Sequence, residues 1–473
     1  MKIRILPLFA VAMIAASSLF SSCLKNDYEE FDLPSTSSIS SFSLGTLYQT
    51  IYKGSSEGKD TIDTVSYAKH PFVIDQLNRK IYNPDSLPKG VNVSKALVNI
   101  SADGNVFYKY LDEEKEDTIW TPTDSLDLTR PITLKVLTYS PVYNDFRLGE
   151  SYELKVNVHN LNPDSLVWNH YETSFASLTE QKAVYSNNYL YVFGKDENKE
   201  IKVYKLNVEK GNVKGGWTDL NISNNNINIY SALAYNNDVY YVAGGNLYKL
   251  IDNTKVGSES NLSSLISVSN GYMLAYTTDP ENNVITLDKE GVKGESSTSE
   301  FDFSGRIFAS SSQAEHNSSL WRTTVMSYNT ATADTTANIF SYISSDEKWV
   351  ESTPNNPVTC PNLKDISMVE YDGKLYAFGG KRDNGKTKIK AFESFYYSNN
   401  YGFDWRIEPN KYMKFTDEEG KNKIAEYYDD KPYSCVVETD NEGKESFIWF
   451  VWHNGKVSRA HLNKFAPKTN PQN

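Results

Sequence analysis

The chain has 473 residues, of which 39% are hydrophobic, 23% charged and 13% aromatic. This length predicts at least two domains, or one repeat domain with an appendage, and the composition excludes disorder as the main state. The formal net charge of −12 argues against nucleic acid as a partner, because phosphate binding needs basic patches.

The beginning of the chain indicates export. An apolar run from Ile5 to Phe20, preceded by two basic residues, is shorter than the roughly 20 residues that span a bilayer and is typical of a secretion signal. Ser21-Ser22-Cys23 follows and resembles the lipobox of bacterial lipoproteins, with Phe20 where that motif prefers Leu. The resemblance implies a signal peptide over residues 1–22 and lipidation of Cys23. The alternative is an ordinary signal peptide with a chance cysteine.

Residues 23–38 predict a flexible acidic tether. The segment combines carboxylates with Pro34 and a Ser/Thr run, so it lacks the apolar surface needed to fold. Its acidic start resembles the export signal of Bacteroidota surface lipoproteins, although a solvated linker explains it equally well. We therefore expect a lipid-anchored outer-membrane protein whose membrane partner is reached through the N-terminal anchor. It would face the cell surface or, alternatively, the periplasm.

The remaining cysteines, Cys360 and Cys435, form an even pair in an exported chain. The two cysteines could form one disulfide or remain two separate buried thiols, and separate thiols are the better interpretation. The six histidines form no HExxH motif or cluster, and the sequence has no CxxC. The sequence thus supports neither a metal site nor another cofactor.

Residues 39–160 are predicted to be β-structure, because short alternating apolar runs recur between turn residues. About seven strands fit an immunoglobulin-like β-sandwich. They include Val65–Ile74, Ala96–Ile100, Val106–Tyr110, Ile132–Tyr139 and Tyr152–Val158.

Residues 163–467 contain an internal repeat of about 51 residues, near the roughly 40 to 50 of a four-stranded propeller blade. Polar pairs such as Asn187-Asn188 tolerate positive φ and predict tight hairpins. The second strands of the six units are Tyr189–Gly194, Asp238–Gly244, Tyr272–Thr277, Leu320–Tyr328, Lys374–Gly380 and Ser446–Trp452. The pattern predicts an all-β fold whose C-terminal part is a six-bladed β-propeller.

The last unit offers only three strands, Tyr433–Glu438, Ser446–Trp452 and Lys456–Leu462. The stray strand Ser165–Tyr171 is therefore predicted to add the fourth and to close the ring. Closure would remove the exposed edges of an open array.

Two repeat families are visible in the motifs. Gly244-Gly245 and Gly379-Gly380 after apolar strands resemble a Kelch repeat. The segment from Ser398 to Trp405 resembles the Asp-box of sialidases and related propellers, with Asn400 in place of its Asp. The resemblance implies a structural hairpin built on Ser398, Asn400, Gly402 and Trp405.

The whole chain resembles a family of Bacteroidota lipoproteins with an immunoglobulin-like domain and a Kelch/Asp-box propeller. That resemblance implies location and architecture, and no activity. Our preferred hypothesis is a non-catalytic binding module for glycan or envelope protein ligands, of unspecified oligomeric state. In a propeller, the loops after the second strands should meet near one mouth of the central channel. There they would supply the candidate ligand-binding residues Lys195, Asp196, Arg382, Trp452 and His453. Trp452 could stack on a sugar, but a core tryptophan is the commoner alternative.

Two other functions stay open. A divergent sialidase-like glycoside hydrolase would need suitably spaced carboxylates and, for sialic acid, three converging arginines. At most three of the arginines in the repeat region are placed for the channel, and no catalytic residue can be assigned. These arginines are Arg306, Arg322, Arg382, Arg406 and Arg459. The other function is a structural or assembly role in an outer-membrane complex.

Overall fold

The structure is a computed structural model. It describes residues 36–51, 60–224, 226–278, 282–314, 316–329, 336–345, 348–352, 358–383, 385, 387–409, 413–416, 421–439 and 446–465. The signal peptide, the lipidation site at Cys23 and most of the tether lie outside these residues. Within the described ranges, no helix is both long and apolar enough to cross a membrane.

The chain divides into two compact units. Among the described residues, one contains 36–51 together with Thr61–Asn160, and the other contains Asp60 and those from Leu161 onward.

The first unit consists of short strands in three sheets. Its strands are β1 (Ile39–Leu44), β2 (Thr46–Ile51), β3 (Thr61–Ser66), β4 (Val73–Asp75), β5 (Lys80–Tyr82), β6 (Val91–Asn92), β7 (Ala96–Ala102), β8 (Val106–Tyr110), β9 (Thr118–Ile119), β10 (Ser125–Leu126), β11 (Ile132–Ser140), β12 (Asp145–Leu148) and β13 (Tyr152–Lys155). The largest sheet has the order β4-β5-β13-β11-β8-β9, with β12 also paired to β11. The other two sheets have the orders β1-β7-β10 and β3-β2-β6.

The described part of this unit contains thirteen strands. The expectation of about seven strands from the sequence was therefore wrong. Strands of two or three residues, such as β6 and β9, are too short to show an alternating pattern. The strand expected at 65–74 is divided into the end of β3 and the start of β4. In β13 the alternation holds, since Tyr152 and Leu154 are buried while Glu153 and Lys155 are exposed.

The second unit contains the remaining strands. They are β14 (Leu166–Tyr171), β15 (Glu180–Ser186), β16 (Tyr189–Lys195), β17 (Ile201–Glu209), β18 (Asn212–Asp219), β19 (Ile227–Tyr235), β20 (Asp238–Ala243), β21 (Asn246–Lys249), β22 (Thr254–Lys255), β23 (Leu262–Ser269), β24 (Tyr272–Thr277), β25 (Asn283–Leu287), β26 (Lys293–Thr298), β27 (Ile307–Ala314), β28 (Asn317–Ser327), β29 (Asn338–Ile343), β30 (Lys348–Glu351), β31 (Ser367–Tyr371), β32 (Lys374–Phe378), β33 (Arg382–Asp383), β34 (Lys388–Ile389), β35 (Tyr396–Ser398), β36 (Arg406–Ile407), β37 (Tyr433–Thr439), β38 (Ser446–Trp452) and β39 (Val457–Leu462). The helix α1 (Lys423–Tyr428) and a 3-10 turn (Asn463–Phe465) complete it.

The strands in the described part of this unit form six four-stranded antiparallel sheets and one two-stranded sheet, β33-β34. Five of the four-stranded sheets use strands that are local in sequence: β15 to β18, β19 to β22, β23 to β26, β27 to β30, and β31-β32-β35-β36. The sixth has the order β14-β39-β38-β37, so the first strand of the unit pairs with the last. The pairing runs from Leu166 opposite Leu462 to Tyr171 opposite Val457. Residues 166–171 thus supply a fourth strand to the last sheet.

The first strands of the six sheets form a closed ring. Each of β15, β19, β23, β27, β31 and β37 contacts the next, and β37 contacts β15. A tight hairpin connects β15 to β16, with Asn187 and Asn188 at φ of 48° and 65°. These values are those that a two-residue hairpin loop requires.

The turn between β35 and β36 is held by its own side chains. Ser398 Oγ accepts a hydrogen bond from the Gly402 amide at 2.8 Å, and the Trp405 indole donates to the Gly402 carbonyl at 3.0 Å. Asn400 Oδ1 accepts a hydrogen bond from the Asp404 amide at 2.9 Å. Gly402 has a φ of 92°, a conformation that residues with a Cβ rarely adopt, and Trp405 is 2% exposed. The turn thereby anchors a core tryptophan.

Candidate functional site

The ring of first strands encloses a channel with a cavity volume of about 380 Å³. All six first strands contribute residues to its wall. Ligand pockets in proteins are concave sites of roughly 300 to 1,000 Å³ with a few convergent polar groups. Because its walls belong to hydrogen-bonded sheets, the channel is the best-supported candidate site in the second unit.

Polar groups gather where the first strands begin. We call this region the entry mouth, and it consists of Glu180, Lys182, Lys195, Tyr230, Arg306, Asp365 and Tyr433. Arg306, just before β27, forms an ion pair with Asp365 just before β31, with 3.2 Å between Nη1 and Oδ1. Its Nη2 donates to the carbonyl of Tyr433, the first residue of β37, at 3.3 Å. Arg306 therefore bridges three neighbouring sheets at the mouth.

Lys182 on β15 is the second cation in the channel wall. Its ammonium donates to the carbonyl of Tyr230 on β19 at 2.6 Å, and the side chain is half-buried. Burial lowers the pKa of Lys182 to about 8, because the charged form loses hydration that the channel does not replace. The same cause raises the pKa of Tyr230 to about 12.

The charges at the mouth do not balance. Glu180 is paired with Lys195 at 3.1 Å, and Asp365 is paired with Arg306. Among the described ion pairs, none includes Lys182. Lys182 is thus the excess positive charge of the entry mouth.

The far end of the channel carries a negative charge, in contrast to the entry mouth. Glu370 on β31 is exposed and accepts hydrogen bonds from the hydroxyls of Ser310 and Ser312 on β27, the latter at 3.0 Å. Ser310 and Glu370 both line the channel. A ligand inside would meet cations at the entry mouth and a carboxylate with hydroxyls at the exit.

The loop after β16 reaches the entry mouth as expected from the sequence, but its charges are already used. Lys195 pairs with Glu180. Asp196 accepts hydrogen bonds from the amides of Asn198 and Glu200, at 2.8 and 2.9 Å, and so holds its own turn. Arg382 lies on β33 and is not among the residues that line the channel. A ligand role for these three residues stays a prediction.

Two other predicted ligand residues are part of the interior. Trp452 is 0% exposed, and its indole donates to Ser458 Oγ at 2.9 Å, so it cannot stack on a sugar in this structure. His453 is 7% exposed, and burial lowers the pKa of its imidazole. The core interpretation of Trp452 is the one that the structure bears out.

The sequence analysis missed Lys182, Tyr230 and Asp365, and it considered Arg306 only for a sialidase-like site. Each of the three missed residues lies in a first strand or just before one, whereas the predicted ligand residues lie at or after the ends of second strands. No local signal marked Lys182, since it follows Glu180 and Gln181 in the polar first half of β15.

The remaining cysteines are free thiols. Cys360 is fully buried, with its sulfur 3.8 Å from Met326 Sδ, and burial raises the pKa of the Cys435 thiol to about 12. Neither is therefore poised for thiolate chemistry at neutral pH.

The pKa of Lys182 predicts a pH dependence of stability. Below about pH 8 this lysine is protonated in both folded and unfolded chains, so burial of its charge destabilises the fold fully. Between about pH 8 and 10.5 the unfolded lysine binds more protons than the folded one, so the free energy of unfolding should rise, by roughly 2 kcal/mol. Urea unfolding of the wild type and of Lys182→Met across this range measures it. Equal pH slopes in the two proteins would contradict the assignment.

A second cavity, of about 680 Å³, lies beside α1 and includes Phe392, Asn422 and Tyr428 in its lining. Its residues Lys414, Phe415 and Thr416 are flanked in sequence by residues outside the described ranges. The channel is therefore the better-defined site.

Comparison with known proteins gives the family. A family model described as the DUF6242 β-propeller domain matches residues 162–470, and one for the DUF6242 N-terminal domain matches residues 42–156. No curated protein matches the sequence significantly.

Three solved structures are similar at low identity. A triple mutant of AofleA from Arthrobotrys oligospora is 10% identical, with a TM-score of 0.35 and coverage of 63% of this chain and 87% of that one. An ulvan lyase of polysaccharide lyase family PL25 is 10% identical, with a TM-score of 0.27 and coverage of 62% and 84%. A mutant of the GH43 protein BlXynB from Bacillus licheniformis is 12% identical, with a TM-score of 0.25 and coverage of 61% and 57%. Because the family models together cover most of the chain, its second unit is a β-propeller, and the protein belongs to the DUF6242 family.

Proposed function

We propose that this protein is a lipid-anchored envelope lipoprotein whose propeller binds glycans without catalysis. In this proposal, the six four-stranded sheets are six blades closed by β14, and the turn at Ser398–Trp405 is an Asp-box in a Kelch-like ring. An immunoglobulin-like first unit acts as a spacer, and Cys23 holds the chain at the outer membrane, facing the cell surface. The observation that carries the binding role is the channel with its polar entry mouth.

The chemistry of the mouth favours a saccharide. Cations, carboxylates and the ring of Tyr230 occur within one concave site, and sugars offer hydroxyls for the polar groups and an apolar ring face for aromatic side chains. A protein partner would need a much larger complementary surface than a cavity of about 380 Å³ provides.

The alternatives have weaker support. A sialidase-like hydrolase would gather three arginines, but Arg306 is the only arginine among the described residues that line the channel. A purely structural or assembly role would leave the excess charge of Lys182 without a use.

Replacing Arg306 with alanine should weaken glycan binding. The substitution removes a guanidinium that crosses the mouth, and loss of charged hydrogen bonds of this kind costs about 1.5 to 3 kcal/mol. We expect affinity to fall at least tenfold for whichever saccharide of a broad glycan array the wild type binds, as measured by isothermal titration. Arg406→Ala, an exposed arginine on the outermost strand β36, is the matched control and should bind as the wild type does. An array in which no glycan binds would refute the proposal.

A further inference from the structure

The entry mouth has the groups needed to recognise one negative charge. Arg306 uses one hydrogen bond on each of its two terminal nitrogens, to Asp365 and to Tyr433, and a guanidinium has five N–H donors. Lys182 uses one hydrogen bond, to Tyr230, and an ammonium has three donors. Both side chains therefore keep donors for an incoming acceptor.

The ring geometry brings the two cations toward one space. Arg306 extends from β27 past β31 to β37, and β37 contacts β15, the strand that carries Lys182. The backbone carbonyl of Tyr230 holds the ammonium of Lys182. Both cations line the same cavity.

We propose that the entry mouth binds the carboxylate of an acidic saccharide, such as a uronic acid, through Lys182 and Arg306. This inference rests on the proposed glycan-binding function and specifies the class of glycan. With Arg306 neutralised by Asp365 and Lys195 by Glu180, the mouth has a single excess positive charge. One carboxylate balances that charge, and a charged hydrogen bond inside a channel is screened less than one at a surface.

The neighbouring groups fit a sugar acid better than a bare anion. Tyr230 lines the same cavity as Lys182, and Ser310 and Glu370 lie farther along it, where they can bond sugar hydroxyls. A uronic acid combines a carboxylate with a ring that carries such hydroxyls.

Isothermal titration with trigalacturonic acid and its methyl ester tests the proposal, because esterification removes the negative charges and adds only a methyl group at each carboxyl group. We expect the wild type to bind the acid at least tenfold more tightly than the ester. Lys182→Met should reduce the affinity for the acid to that for the ester, and Lys182→Arg should retain most of the preference. Lys214→Met, which removes an exposed lysine from the outermost strand β18 of the same sheet, should leave the preference unchanged.

The possible failures are distinguishable. Equal affinity for the acid and the ester, or an unchanged preference in Lys182→Met, would overturn the carboxylate site and leave glycan binding intact. Binding of neutral saccharides alone would also overturn the carboxylate site and leave glycan binding intact. If neither probe binds and a broad glycan array is also empty, both the carboxylate site and the proposed function are wrong. Lys182→Met removes a half-buried charge and should fold, which circular dichroism verifies.

Discussion

Trp452→Ala is expected to lower the free energy of unfolding of the propeller by about 3 to 5 kcal/mol, the usual cost of deleting a buried aromatic side chain. The indole ring is fully buried among aromatic neighbours, with ring centroids 5.8 Å from Phe392, 5.7 Å from Tyr433 and 5.9 Å from Phe450. Its loss leaves a cavity and removes the donor to Ser458. Urea unfolding followed by tryptophan fluorescence measures the change.

The matched control for this substitution is Phe403→Ala. Phe403 is 59% exposed in the turn before Trp405, so its removal should change stability by less than about 0.5 kcal/mol. A Trp452→Ala protein of unchanged stability that had lost saccharide affinity would instead restore the sugar-stacking role first expected for this residue.

Trp452 shows why the propeller strands could be located from the sequence while their ligand-facing residues could not. All seven residues of β38 are buried, because the sheet has neighbours on both faces. A uniformly apolar strand is easy to recognise in a sequence, but it has no alternation from which to tell which side chains stay in the core and which could reach a ligand. For the same reason the bounds of β24 and β38 were predicted to the residue.

The entry mouth depends on contacts that cross the ring. Asp365 lies 59 residues from Arg306, and Tyr433 lies 127 residues from it. No local sequence pattern predicts such pairs, because they form only when the sheets close around the channel. The Ser398–Trp405 turn is the opposite example. Its hydrogen bonds join residues two to four positions apart, so its side-chain roles could be predicted from the motif.

The pairing of β14 with β39 leads to a second prediction with a large effect on stability. His170 on β14 and Ser458 on β39 are direct partners, with 2.9 Å between Nδ1 and Oγ, so cysteines at both positions should form a disulfide. The bond would close a loop of 288 residues. A cross-link of this length restricts the unfolded chain strongly, and we expect the oxidised protein to be about 2 to 5 kcal/mol more stable than the same protein reduced.

Thermal unfolding of the double variant His170→Cys/Ser458→Cys, with and without reductant, measures this difference. Comparing the two redox states removes the cost of losing the hydrogen bond from Trp452 to Ser458, since both states lack it. The pair Glu209→Cys/Asn212→Cys is the control, because these partners across the β17–β18 hairpin close only a minimal loop, whose cross-link should stabilise the protein far less. If the β14–β39 pairing holds the ring together, the long-range bond alone raises the melting temperature substantially. A gain no larger than that of the hairpin control would mean that β14 is not what closes the propeller.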